Sequence, residues 1–244
     1  MKRLFILLAL LALPVLAFVF RPYVWAAISP VAIKFTKAKT VAERLNQFGE
    51  ATRARWKPHF DQAQTAYPPA GVKLVALKTE RILQVYAVDK TGRNHWIRSY
   101  PILAASGISG PKLQEGDGQV PEGVYPIESL NPNSRFHVAL RVGYPNVFDR
   151  SQAKKDGRTE LGGDIMIHGS SVSVGCLAMG DETAEDLFVL AADTGLPNVT
   201  VIIAPVDFRT GKSVPKPVKL PDWTTVLYSQ IKAQLAGLPP PETK

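Results

Sequence analysis

The sequence predicts a mostly β fold with a few helices, an α+β catalytic-type domain with helical N- and C-terminal extensions. Three observations predict it. Short runs rich in β-branched and aromatic residues recur between residues 72 and 206, glycine and proline punctuate the gaps, and helical periodicity is confined to three places. At the start, Lys2 and Arg3 precede the apolar run "LFILLALLALPVLAFVF" at 4–20, interrupted by Pro14 and closed by Arg21. A short basic region ahead of an apolar stretch has the form of an export signal. A run of 17 residues meets the lower limit for a spanning helix, about 17–25. Residues 1–28 therefore read as a signal peptide or an uncleaved inner-membrane anchor, and the expected setting is the periplasm or cell envelope.

Residues 29–68 read as a helical extension. Thr40 and Glu43 have capping-box spacing, and Val41, Leu45 and Phe48 follow at i, i+4 and i+7, which predicts a helix to about Trp56, ahead of Pro58. "AYPPAG" at 66–71 reads as a linker. The expected domain, 69–206, opens with three β-rich runs, "VKLVALK", "RILQVYAV" and "HWIRSYPIL". The stretch 106–127 is so rich in glycine and proline that an irregular course is expected. "SRFHVALRV" at 134–142 and "DIMIHG" at 164–169 are further strand candidates, and "NVTVIIAPV" is the last. Between them Asp181 can cap a helix over about 183–194, closed by Gly195. The tail, 207–244, carries one amphipathic helix from Asp222 with Trp223, Val226, Leu227 and Ile231 on a face.

The 29 Lys and Arg against 21 Asp and Glu give a net charge of +8. In an exported protein that balance suits anionic partners such as cell-wall polymers or lipid head groups. No run of basic residues is dense enough to argue for nucleic acid. One cysteine and four scattered histidines (59, 95, 137, 168) form no ligand cluster, so neither a metal nor another cofactor is expected.

The lone cysteine, Cys176, cannot form an internal disulfide, the usual reason for cysteine in an exported chain. A buried small hydrophobe and an intermolecular pair are the bland alternatives. The nucleophile reading is favoured by "HGSSVSVGCLAM" at 168–179, where His168 precedes the thiol by eight positions within a glycine- and serine-rich segment. If "IMIH" and "CLAM" are neighbouring strands joined by 169–175, His168 and Cys176 fall opposite each other at the loop mouth. An imidazole there can take the thiol proton and create a thiolate–imidazolium pair that attacks a carbonyl. Gly175 would turn the chain and aim backbone N–H groups at the oxyanion. Ser173 or a nearby carbonyl would hold the other ring nitrogen. His59 and His95 read as exposed, and His137 as facing solvent or the cleft.

At these residues the chain resembles the YkuD-type L,D-transpeptidase catalytic domain. "IHG" at 167–169, "SVGCLA" at 173–178 and "GDGQVPEGVYPI" match its motifs, and "NPNSRFHVALRVGYPNVFDR" resembles its YafK-like branch. The resemblance implies a β-rich fold, Cys176 as nucleophile, His168 as base and oxyanion donors at 174–176. It also implies peptidoglycan stem peptides as substrate, attacked at diaminopimelate, with a covalently attached outer-membrane lipoprotein as a further partner in the YafK-like branch. Val174 and Ala178 stand where the family has a histidine and an arginine. Losing that arginine removes a carboxylate clamp, for which Arg141, Arg150, Arg158 and Lys112 are candidates, with solvated surface charge as the equal alternative. Tyr144 and Asp149 would shape the cleft or pack a loop. The rival class is a non-catalytic peptidoglycan-binding or scaffold protein.

Overall fold

The computed structural model describes residues 38–215 and 219–241; the apolar run at 4–20 lies outside the described residues. In chain order they form α1 (Val41–Gln62), β1 (Gly71–Leu77), β2 (Ile82–Val88), β3 (Asn94–Pro101) and β4 (Ala104–Ala105). Then come β5 (Gly123–Ser134), β6 (His137–Val142), α2 (Val147–Lys155), β7 (Met166–His168) and β8 (Leu177–Ala178). The chain closes with α3 (Asp181–Thr194), β9 (Val199–Ala204) and α4 (Thr224–Ala236). The fold is thus mostly β with four helices among the described residues.

All nine strands join one sheet in the order β3-β2-β1-β9-β5-β6-β7-β8-β4. β1 pairs with β9 and β7 with β8 in parallel, and the other pairs are antiparallel. Side chains alternate across a strand, and in the centre both faces are used. Val72, Leu74 and Ala76 of β1 meet Phe48, Trp56 and Phe60 of α1 and Leu187 and Phe188 of α3 in the larger core. Val75 and Leu77 of β1 turn the other way, with Tyr86, Ile202 and Ala204, onto Leu227, Ile231 and Leu235 of α4. Burial on both faces explains why β1 and β9 read as nearly continuous apolar runs.

Several boundaries differ from the sequence expectation. α1 has its capping box at Thr40 and Glu43, yet runs through Pro58 to Gln62. Burial of Trp56 and Phe60, packed edge to face at 5.9 Å, outweighs the hydrogen bond that proline removes. β5 starts at Gly123, inside the stretch expected to be irregular, because Gly123–Pro126 finds a partner in β9. α2 was not anticipated; its N-cap Asn146 and Asp149 form a capping box. α3 begins at Asp181 itself, with Gly180 at the cap position and no side-chain cap. On α4, Val226, expected on the apolar face, is exposed, and Leu235, for which nothing was expected, is buried with Leu227 and Ile231.

Candidate active site

The site grows out of the β6–β7–β8 part of the sheet. Leu140, Ile167 and Leu177 lie side by side in register, all fully buried, and face the core beneath α3. Alternation turns their neighbours Arg141, Met166, His168 and Cys176 to the opposite face. α4 covers that face only farther along, over β1 and β9.

The register corrects one expectation. β7 and β8 run parallel, with His168 opposite Ala178 rather than Cys176. The loop between them has to cross back to start β8 alongside the start of β7. Cys176 therefore falls beside Met166, on the same face as His168 but one diagonal step away, roughly 7–8 Å by ordinary strand geometry. The thiol accepts the Met166 N–H at 3.3 Å and donates to the Asp164 carbonyl at 3.5 Å. Among the described residues no hydrogen bond joins the imidazole to the sulfur.

His168 is 2% exposed and lies under the ring of Phe136, stacked at 4.6 Å with 25° between planes. Its Nδ1 sits 2.6 Å from the Gly169 carbonyl. A carbonyl only accepts, so Nδ1 carries the proton and Nε2 presents a lone pair. The group holding the second ring nitrogen is thus a backbone carbonyl, not Ser173, whose Oγ is buried with no hydrogen-bond partner. Burial pushes the imidazole below its ordinary 6.5, against the smaller opposing effect of the Gly169 carbonyl. Burial likewise pushes the Cys176 thiol above its ordinary 9.0; the Met166 N–H opposes this, the charge of Asp164 adds to it and that of Lys112 opposes it. Both shifts favour the uncharged forms, a neutral thiol and a neutral base, over the expected thiolate–imidazolium pair.

The loop joining β7 to β8 is pinned at several points. Gly175 adopts φ +78, a left-handed conformation that glycine takes without strain, and its N–H donates to Ser106 Oγ at 2.6 Å. Ser106 in turn donates to the Gly118 carbonyl, tying the turn before Cys176 to the glycine-rich stretch. Asp181, expected as a helix cap, instead accepts the Ser170 N–H at 2.7 Å. A Cβ on Gly169 would come within 2.5 Å of that carboxylate and 2.6 Å of the Phe136 carbonyl, so only glycine fits there. Ser106, Phe136 and Asp164 escaped the sequence reading as site partners, and Asp181 was read only as a helix cap, since no local motif marks a partner brought in by the sheet.

The other candidates scatter. Arg141 shares the site face and pairs with Asp164 at 2.6 Å. Lys112 is buried, its ammonium held by Asp117 and the Gln114 carbonyl, though its charge is felt at Cys176. Tyr144 is buried and donates to the Lys112 and Leu161 carbonyls, which packs that loop. Arg158 is engaged by Asp156 and the Leu113 carbonyl, and Arg150 lies exposed on α2. Asp149 belongs to the α2 cap. His137 pairs with Glu185 and His95 with Asp89, both part-buried rather than exposed. His59 is also part-buried. Cavities of about 280 and 370 Å³ flank the loop at Ile108, one lined by Ser106 and Lys78, the other by Gln119 and Arg158. Among the described residues no group of histidines, cysteines and carboxylates is arranged to hold a metal ion, and no helix is long and apolar enough to cross a membrane.

The YkuD family model, the L,D-transpeptidase catalytic domain, matches residues 71–205. YafK of Escherichia coli, in strain K12 and in O157:H7, is 36% identical over 140 residues, covering 55% of this chain and 54% of the relative. The chain spans about half the length of the curated relatives it matches. Among solved structures, the helical cell shape determining protein Pgp2 from Campylobacter jejuni superposes with TM-score 0.46 at 22% identity, over 60% of this chain and 50% of that one. Bd1075 of Bdellovibrio bacteriovorus gives 0.40 at 22% identity, over 57% and 53%.

Proposed function

The chain belongs to the family of L,D-transpeptidase catalytic domains, and from that premise we propose that it is an exported cysteine enzyme acting on stem-peptide amide bonds of peptidoglycan through a thioester on Cys176. The observation that carries this reading is the shared face of Cys176 and His168, with the Nδ1 proton committed to the Gly169 carbonyl so that Nε2 is free as a base. The neutral resting pair favours general-base catalysis: the proton leaves sulfur as sulfur attacks. Substrate entry displaces Sγ from the Asp164 carbonyl and brings it toward Nε2. The carbonyl carbon gains a C–S bond, and its oxyanion is taken by backbone N–H groups of the 174–176 turn. Gly175 can join once Ser106 yields its N–H. Collapse of the tetrahedral species breaks the C–N bond, and the imidazolium protonates the leaving amine. Water or a second amine then attacks the thioester, with His168 again as base.

The two fates differ only in the acceptor. Ala178 in place of the family arginine and the branch-like segments around 131–150 favour water, and with it release of a covalently bound lipoprotein from peptidoglycan. The basic chain and the export-type segment at 4–20 suit an envelope location. Purified sacculi incubated with wild type and with Cys176→Ala, followed by mass spectrometry of the muropeptides, test the proposal. Loss of lipoprotein remnants supports hydrolysis, and new cross-links between diaminopimelate residues support transfer. Sacculus binding with no Cys176-dependent change in muropeptides would favour the scaffold reading and overturn the enzyme.

A further inference from the structure

The ring that covers His168 sits at the tip of a hairpin. β5 and β6 pair as far as Ser134 and His137, which leaves Arg135 and Phe136 as the turn, and the Phe136 N–H donates to Ser134 Oγ at 3.1 Å. Phe136 is 37% exposed, so the core does not hold its ring in place. His137, the next residue, adopts φ +76, a left-handed conformation uncommon for a residue with a side chain. Such a bend persists where surrounding contacts hold it. Here the contact is with α3: His137 Nε2 lies 2.8 Å from Glu185 Oε1, and both side chains are largely shielded from solvent. The His137 ring also lies 6.0 Å from that of Phe48 on α1. Arg55 of α1 approaches Glu185 at 3.6 Å while it pairs with Asp186. His137 is thus fastened to a helix pair, and its neighbour in the chain is laid over the base.

We propose that His137 and Glu185 are positioning residues for His168: their pair fixes the left-handed bend that lays Phe136 over the imidazole and keeps water from it. The inference rests on the reading of His168 as general base and adds the device that holds the base desolvated. Burial is the largest influence on the imidazole, so an anchor for its cover acts on its basicity without touching it. The charged groups at this corner are Arg135 on the turn, Glu185 and Asp181 on α3, and Arg55 on α1. The direction of the effect separates charge from cover. Removing the negative charge of Glu185 would by itself lower the imidazole value, whereas opening the cover raises it.

Titration of the His168 ring signals by NMR in variants of the full chain tests the anchor. Glu185→Ala should move the titration up toward the ordinary 6.5. His137→Gly, which removes the anchor but tolerates the bend, should do the same. His137→Gln and Glu185→Gln keep a hydrogen bond across the pair and should show no rise. In a Phe136→Ala background, Glu185→Ala and His137→Gly should add nothing, because the cover is already gone. Where stem peptides are turned over, the acid limb of kcat/KM should follow the titration. A titration that rises in these variants while no peptide is turned over upholds the positioning role and sinks the enzyme reading alone. A titration that stays at the wild-type value in both Glu185→Ala and His137→Gly, or that rises equally with and without the Phe136 ring, overturns the proposal.

Discussion

The thiol of Cys176 and the imidazole of His168 are displaced in opposite directions by one cause, burial, which disfavours whichever form is charged. This makes the pH behaviour specific. The proposed mechanism needs a neutral imidazole as base, so kcat/KM should fall as pH drops through a value below 6.5. Alkylation of the resting thiol should be slow at neutral pH and still be rising past pH 9, whereas a preformed ion pair would react fast at neutral pH. Stopped-flow alkylation across pH 5–10 separates the two. Phe136 has a stake in the same property, since its ring covers one side of His168. Phe136→Ala should admit water, move the imidazole titration up toward 6.5 and carry the acid limb of kcat/KM with it, while Phe136→Tyr should keep both near wild type. Titration of the His168 ring signals by NMR checks this. The eight-residue spacing of His168 and Cys176 and the glycine before the thiol made this pair legible in the sequence. Phe136 was not legible as a partner, because its place over the imidazole depends on β6 and β7 pairing.

Elements were legible where local chemistry sets them. The Thr40 capping box starts α1 as expected, and Gly195 closes α3. α2 carried the same kind of signal, Asn146 and Asp149 at capping-box spacing, within a segment read as loop. Strand partners lay beyond local reading. The parallel β7–β8 register, which separates His168 from Cys176, is decided by chain crossing rather than by side-chain pattern. α2 gives a pH test at this scale. Burial pushes the Asp149 carboxyl up from 3.8 to about 6, only partly offset by the Asn146 N–H that it accepts. A raised folded-state value means that the native protein holds the proton more tightly than the unfolded chain. The stabilisation is complete below pH 3.8 and is lost as pH rises through about 6. The size is about 3 kcal/mol for a shift of some two units. Urea unfolding at intervals between pH 4 and 7 should show this decline in wild type and lose it in Asp149→Asn, whose amide still accepts the cap hydrogen bond.

At the scale of the molecule, the sheet is covered unequally, and that inequality creates the site. α1 and α3 cover one face, α4 covers the other over β1 and β9, and the outer face of β6–β8 is left to Arg141, Met166, His168 and Cys176. The tail helix is therefore part of the packing of the central strands. Ile231 is fully buried against them, and Tyr228 donates to Glu122, which also receives Lys78 and the Gly110 N–H at the foot of the glycine-rich stretch. Ile231→Ala should cost about 2–5 kcal/mol, because the rigid sheet cannot collapse into the space left behind. Where the cost shows is the sharper test. If α4 is integral to the sheet, the urea midpoint drops while the transition stays single and its slope is unchanged. Tryptophan emission, reporting Trp56 in the α1 core and Trp223 at the start of α4, should then move in one step. An early step followed by an unshifted main transition would mean that α4 melts as a separate appendage.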